Sequence, residues 1–449
     1  EIIKILKNYN NINILYFIDD DKNKIGRTID GIEVFSSKQI ELDNKKIDTV
    51  LICMPSASSF EIKNIEANLI NLKILHKNIS SLDDFLNNTV AEKDKLIKFD
   101  HDTILDLNFS NNIKDKFKNK KVLVTGASGT IGKEIMFQIS RLDVQELIGL
   151  DFNELNISNL KKDFDNLKIN NKIKKYFYLI NLNNKSLLNY FIEKHKPDYI
   201  FHAAAYKHVD IVETNAVEAV SNNLISLINI LECTKNLTNL NFIFISTDKA
   251  VKPINQMGKS KRLGEIIVSG MNNINKNNNY TCVRFGNVIG SSGSLIPILN
   301  DQISKGGPIT ITDKMASRYF MTVQDAVSLT IETSNMESRG LINVLNMGKP
   351  INIYSMVMKI LKDSNIDIYS DDNKEGIRID IIGLRPGEKL HEELFHSDKV
   401  IKTDNEKIFS ETCDFNFRKE DIEKIKENIY LANSKNDINI FNKMFSEYF

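Results

Sequence analysis

Asp248 and Lys249 stand side by side in Ile245-Ser246-Thr247-Asp248-Lys249-Ala250, just past an apolar run. A carboxyl group and an amine fixed together can act as acid and base in one reaction if burial and mutual charge shift their proton affinities. On a surface the same dipeptide is an ordinary solvated pair. Inside a strand neighbouring side chains face opposite ways; a strand end, where the chain turns, can bring both to one place.

A second group of residues suits phosphate. Val122 to Gly132 reads Val-Leu-Val-Thr-Gly-Ala-Ser-Gly-Thr-Ile-Gly, an apolar strand running into Gly126, Gly129 and Gly132. Gly126 lets the chain turn off the strand, Gly129 lets backbone approach a pyrophosphate, and Gly132 lets a helix pack against the sheet. The helix is expected to open at Lys133, so that Ser128, Thr130 and Ile131 border the phosphates at its positive end. About twenty residues on, Leu147-Ile148-Gly149-Leu150-Asp151 ends a second strand, followed by Asn153. A carboxylate at Asp151 can bind adenosine ribose hydroxyls and repels a 2′-phosphate, which favours NAD over NADP. Asn181 and Leu182 are expected to end the third strand beside adenine.

These residues need a scaffold. Apolar runs at 121–124, 147–151, 176–182, 199–203, 241–246 and 281–285 alternate with helical segments, the pattern of an α/β, doubly wound parallel Rossmann sheet. The expected divisions are a partial Rossmann-like accessory domain at 1–90, a helical connector at 91–120, the NAD-binding domain at 121–290, and a smaller substrate lobe with C-terminal helices at 291–449, some of whose elements return to the sheet. In the accessory domain, strands are expected at 13–19, 49–54 and 72–75, with a turn at Pro55-Ser56-Ala57-Ser58.

The 449 residues carry 59 Lys+Arg and 59 Asp+Glu, a net charge of zero that gives no footing for nucleic acid or an anionic membrane. Cys53, Cys233, Cys282 and Cys413 lack CxxC spacing, and no His cluster completes a metal site, so free thiols in a reducing compartment are expected. No apolar run is long enough to span a bilayer, and no signal peptide is evident. The chain begins at Glu1, so a natural N-terminus is expected to lie upstream.

Taken together, the glycine loop, Phe201-His202-Ala203-Ala204-Ala205, Ser246-Thr247-Asp248-Lys249, Met257-Gly258-Lys259-Ser260-Lys261, Arg284-Phe285-Gly286-Asn287 and Arg385-Pro386-Gly387-Glu388-Lys389 resemble the polysaccharide-biosynthesis UDP-N-acetylglucosamine 4,6-dehydratases, within the extended short-chain dehydrogenase/reductases. The similarity covers roughly residues 121–394. It is nearest to the long, membrane-anchored, configuration-retaining subfamily, whose members carry an extra Rossmann-like domain and transmembrane helices. The resemblance implies UDP-N-acetylglucosamine as substrate, bound NAD, a homo-oligomer paired through helix bundles, and a place on the cytoplasmic side of the bacterial inner membrane, with membrane contact only through segments outside this chain. It implies oxidation at C4, loss of water across C5–C6 and return of the hydride to C6.

The resemblance also implies roles. Asp248 protonates the C6 hydroxyl and Lys249 takes the C5 proton. The slot that holds Tyr in most short-chain dehydrogenases holds Met257 here, and a thioether transfers no proton. Lys261, one helical turn on, stays as the cation at the nicotinamide ribose, and Thr247 is the best-placed hydroxyl to relay the C4 proton. Ala203, Ala204, Ala205, Lys207, Asn223 and Arg284 join the cofactor site. Lys207, His208, Asn287, Thr310, Arg318, Arg385 and Glu388 join the substrate site, with Arg318 and Arg385 on the diphosphate, Thr310 in a strand framing uracil and Glu388 on a ribose hydroxyl. Asn181 and Ser226 replace a usual Asp and Gly. Two other readings stay open: a nucleotide-sugar 4-epimerase, against which Asp248-Lys249 argues, and a catalytically silent NAD-binding scaffold, which Met257 would suit.

Overall fold

The computed structural model describes residues 14–21, 24–29, 31–43, 47–52, 65, 68–69, 72, 74–78, 111–166, 172–289, 295–336, 338–363, 366–369, 376–397, 399–413 and 415–449. Contacts divide the chain into two units, Glu1–Leu96 and Ile97–Phe449.

The second unit is built on a nine-stranded sheet. Its strands are β1 (Lys121–Thr125), β2 (Glu146–Asp151), β3 (Lys174–Leu179), β4 (Tyr199–His202), β5 (Asn241–Ile245), β6 (Asn279–Arg284), β7 (Leu341–Leu345), β8 (Ile401–Lys402) and β9 (Ile408–Thr412). Their spatial order is β8-β9-β7-β6-β5-β4-β1-β2-β3. The pairs from β3 across to β7 are parallel, while β9 runs antiparallel to β7 and β8. This is the doubly wound α/β sheet the sequence pattern predicts. Helices on both faces explain the unbroken apolar strands: Val122, Leu123 and Val124 of β1 are all fully buried.

Among the helices are α1 (Thr130–Ile139), α2 (Glu154–Asn166), α3 (Lys185–His195), α4 (Ala216–Cys233), α5 (Gln256–Ile274), α6 (Val323–Thr333) and α7 (Lys419–Lys435). Strand order reverses between β1 and β4, which opens a crevice at the carboxyl ends of the strands, where such sheets bind ligands. α7 lies along α4, with Ser221 Oγ donating to Asn433 Oδ1 at 2.9 Å and Lys426 paired with Glu232. Beyond β6 come three small two-stranded pairings: Asn287–Ile289 with Phe320–Thr322, Ile309–Ile311 with Ile379–Ile381, and Ser317–Arg318 with Ile351–Asn352.

Two boundaries differ from expectation. α1 starts at Thr130, not Lys133, because Gly129 is already its extended N-cap and Gly132 fits inside the first turn. β3 stops at Leu179, so Asn181 and Leu182 lie in the turn after it; Asn181 Oδ1 accepts from Asn183 N at 2.9 Å, while Leu182 is buried.

In the first unit, Phe17–Ile18 pairs in parallel with Ile32–Phe35, which pairs antiparallel with Thr28–Ile29; Thr49–Ile52 pairs in parallel with Leu75–Asn78. Ile40, Ile52, Leu69 and Ile74 form its small core. The strands expected at 13–19 and 72–75 are thus found at 17–18 and 75–78. Residues 53–54, the turn at 55–58 and the connector at 91–110 lie outside the described residues. Of the connector, Asn111–Phe117 is helical, and its Ile113 and Phe117 are buried in the core of the second unit. Among the described residues no helix is long and apolar enough to cross a membrane.

Candidate active site

The crevice has two ends, one expected from the sequence to hold phosphate and the other to carry the reactive groups. At the phosphate end Gly126 has φ of 63°, and a Cβ there would sit 2.8 Å from the Ala204 backbone. A Cβ on Gly132 would lie 2.0 Å from the Gly126 carbonyl oxygen, so both glycines are required by close backbone approach. Gly129 is exposed and its Cβ would meet only the Gly126 oxygen at 3.3 Å, which leaves its outer face open. α1 has no side-chain cap and no acid in its first turn, so its leading N–H groups suit an anion. Asp151 closes this end: its oxygens accept from Ser128 N and Asn153 N, both at 3.0 Å. Ser128 Oγ is buried without a partner among the described residues. This cradle fits a dinucleotide.

The Ala203–Ala205 loop leaves β4 beside it. Ala203 N donates to Thr125 O and Ala204 N to Thr125 Oγ1. Asn223 on α4 clamps the loop: its Oδ1 accepts from Tyr206 N at 2.8 Å, and its Nδ2 donates to Tyr206 O and to Ser260 Oγ on α5. Lys207 and His208 follow on the exposed part of the loop.

At the reactive end, Thr247 leaves β5 extended and caps a single 3₁₀ turn, Asp248–Ala250. The turn lets both neighbours face one site. Asp248 is fully buried; its Oδ1 accepts from Thr247 Oγ1 at 2.9 Å and from Lys249 Nζ at 3.0 Å, while Oδ2 has no partner among the described residues. Gly286 makes room for that carboxylate, since a Cβ there would stand 2.8 Å from Asp248 Oδ2. Lys249 Nζ also donates to Asn287 Oδ1 at 3.2 Å and lies 3.8 Å from Glu392 Oε1. Burial pushes the Lys249 amine down, but Asp248 and Glu392 outweigh it and hold the amine above its ordinary value. Thr247, Asp248, Lys249 and Asn287 are therefore one hydrogen-bonded group.

Met257 and Lys261 lie on α5. The helix presses on the turn: a Cβ on Gly258 would be 2.2 Å from the Lys249 carbonyl oxygen. Asn255 caps it, accepting from Gly258 N at 2.6 Å and donating to Gly387 O at 2.7 Å, which ties the Arg385–Lys389 loop to the site. Met257 is buried in an apolar cluster with Val212 and Ala219. Lys261 Nζ donates to Ile245 O at 2.8 Å and sits 4.6 Å from the Phe244 ring centroid; burial lowers its pKa to about 8.

Several expected ligand contacts are occupied by protein. Arg284 is fully buried and binds Glu265, Glu411 and the Leu394 carbonyl. It locks β6 to α5 and β9, which corrects its expected cofactor role. Arg318 donates to Glu388 Oε1 at 2.6 Å and to the Ser317 and Leu390 carbonyls, so this cation and this acid serve each other. Thr310 Oγ1 accepts from Gln302 Nε2 at 2.7 Å. Arg385 is exposed, and its backbone N–H donates to Glu388 Oε2 at 3.2 Å.

Sequence reasoning missed Glu392. It follows Leu390-His391 in a loop without periodicity, so nothing distinguishes it from its neighbour Glu393, yet Glu392 is buried and Glu393 only partly so.

A family model described as polysaccharide biosynthesis protein matches residues 122–412. The capsular polysaccharide biosynthesis protein CapD of Staphylococcus aureus is 34% identical over 394 residues; the match takes in 85% of this chain and 64% of that relative, so the chain spans under two thirds of its length. A UDP-glucose 4-epimerase of Rickettsia massiliae is 32% identical over 64% of this chain and 81% of its own. Among solved structures, Pen from Bacillus thuringiensis superposes with a TM-score of 0.58 at 30% identity, covering 66% of this chain and 89% of that one.

Proposed function

The chain belongs to the polysaccharide biosynthesis protein family, and from that premise we propose that it is an NAD-dependent dehydratase of a nucleotide sugar, UDP-N-acetylglucosamine, forming the 4-keto-6-deoxy sugar for a bacterial surface glycan. The observation that supports this reading above its rivals is the Thr247–Asp248–Lys249 turn. Exchange of configuration at C4 needs one acid–base group; this turn supplies an acid and an amine besides a hydroxyl.

Gly126, Ser128, Gly129, Thr130, Ile131, Gly132 and Asp151 would hold the dinucleotide, with Ala203–Ala205 and Lys261 toward its nicotinamide. Bound there, NAD would supply reversible hydride acceptance at C4. The protons belong to the chain. Thr247 takes the C4 hydroxyl proton and passes its own to Asp248, whose Oδ1 it already faces at 2.9 Å. Asp248, now protonated, gives that proton to the departing C6 hydroxyl, so water leaves composed of the C6 oxygen group and the C4 proton. Lys249 takes the C5 proton, made acidic by the neighbouring ketone, and returns it to C5 after the hydride reaches C6. Proton and atom balance close without consumption of cofactor. Met257 packs the slot where another enzyme would place a Tyr.

The cations proposed for the diphosphate are Arg385 and Lys207, both exposed. Arg318, paired with Glu388, shapes that wall. The first unit is proposed as a scaffolding or regulatory module.

The test is product mass. Incubation with UDP-N-acetylglucosamine should give a nucleotide sugar lighter by one water, and Asp248→Asn should abolish it. A product of unchanged mass would favour the epimerase reading, and no product the silent scaffold.

A further inference from the structure

Beside the turn lies one acid that this proton scheme does not use. Glu392 is 7% exposed, its Oε1 lies 3.8 Å from Lys249 Nζ, and its Oε2 is buried without a hydrogen-bond partner among the described residues. The other oxygens around the amine are already engaged. Asp248 Oδ1 also accepts from Thr247, and Asn287 Oδ1 belongs to an amide that cannot take a proton at neutral pH. A base that removes a proton from carbon must start as a neutral amine. Lys249 rests as an ammonium beside two carboxyl groups, so its proton needs a destination.

On the dehydratase reading, we propose that Glu392 is that destination, a positioning residue that turns Lys249 into a base. Once the two groups close from 3.8 Å to hydrogen-bond distance, one proton moves from the Lys249 ammonium to the Glu392 carboxylate, leaving a neutral amine and a neutral carboxylic acid. The C5–H bond then breaks toward the amine nitrogen, and its electron pair is left conjugated with the C4 ketone. When C5 is reprotonated the amine is neutral again, and Glu392 keeps its proton throughout.

Burial opposes both charges and so draws the pair toward the neutral form, against the carboxylates that hold the resting amine protonated. The same burial raises the Glu392 carboxyl; Lys249 opposes the rise, Asp248 adds to it, and Arg318 and Lys389 oppose it. Among the described residues those four are the charged groups that act on it: Asp248 and Lys249 from the turn, Arg318 from the Ser317–Arg318 strand and Lys389 from its own loop.

The experiment is the pH dependence of kcat for wild type and Glu392→Gln with UDP-N-acetylglucosamine, together with uptake of solvent deuterium at C5. Wild-type turnover should be level through neutrality. Glu392→Gln should lose about 10- to 100-fold at neutral pH with KM little changed. It should then recover close to tenfold per pH unit on the alkaline side, because Lys249 must release its proton to water. Deuterium uptake should fall with kcat. Glu392→Ala is the second variant: acetate should restore turnover and acetamide, its neutral isostere, should not. A Glu392→Gln profile like wild type, an equal loss at every pH, or equal rescue by acetamide would overturn the proposal. If wild type itself releases no water, the functional reading fails and the Glu392 proposal falls with it.

Discussion

The Thr247 hydroxyl donates to Asp248 Oδ1 at 2.9 Å, while Oδ2 of the same carboxylate is buried and unpartnered among the described residues. One oxygen is thus positioned to receive a proton and the other to deliver it. On the proposed reading, this division would let a chain without the usual Tyr carry acid–base chemistry.

Thr247→Val keeps the shape and deletes the relay, so its kcat should fall by about 10²-fold or more, with slowed C4 oxidation in a single turnover. Met257→Leu conserves volume in an apolar cluster with Val212 and Ala219 and should stay within a few-fold of wild type. Equal losses in the two variants would move the relay away from Thr247.

The glycine loop predicts a contrast in cofactor retention. Gly132→Ala places a Cβ 2.0 Å from a backbone oxygen inside the protein and should damage folding and nucleotide content together. Gly129→Ala meets protein only at 3.3 Å and should fold, yet lose most of the dinucleotide expected to copurify with wild type. Release by denaturation and chromatography measures both. Recovery of NADP in place of NAD would contradict the role given to Asp151.

Arg284 should matter to stability. Glu265→Gln breaks a fully buried ion pair, and removal of one partner costs about 3–5 kcal/mol. The variant's unfolding midpoint should drop sharply while nucleotide affinity per folded molecule is unchanged. Loss of affinity without loss of stability would restore Arg284 to the cofactor site.

Acid should destabilise the protein from near pH 6.5 downward. Burial, with Lys261 adding, lowers His202 to about 3. His396 is lowered to about 4, by burial first and then by Arg262 and Arg284. Above 6.5 both are neutral folded or unfolded; below it the unfolded chain binds protons that the native state refuses, so stability falls as pH falls. For His202 the slope is roughly 1.4 kcal/mol per pH unit. Glu265 acts in the same direction at lower pH: burial raises it, but Arg284 and Arg262 hold it at about 2, so its contribution is present above its ordinary 4.5 and is lost below that. Denaturant titrations across this range give the slope, and His202→Phe should reduce it by one proton. An unchanged slope would refute the assignment.

The sheet was legible because buried parallel strands are continuous apolar runs, and the phosphate loop because close backbone approach admits only glycine at Gly126 and Gly132. The turn was legible from the order of Thr247, Asp248 and Lys249 at a strand end. What could not be read was which charges satisfy one another. Arg284 and Arg318 look like ligands in sequence, and their partners Glu265, Glu411 and Glu388 lie 19, 127 and 70 residues away. Glu392 was hidden for the same reason, since burial in a loop leaves no period in the sequence.

UDP-N-acetylglucosamine carrying deuterium at C4 decides whether the hydride migrates from C4 to C6. The expected product has lost one water and carries the deuterium at C6, formed without net consumption of added NAD. Deuterium retained at C4 or lost to solvent, in a product of undiminished oxygen content, would contradict it.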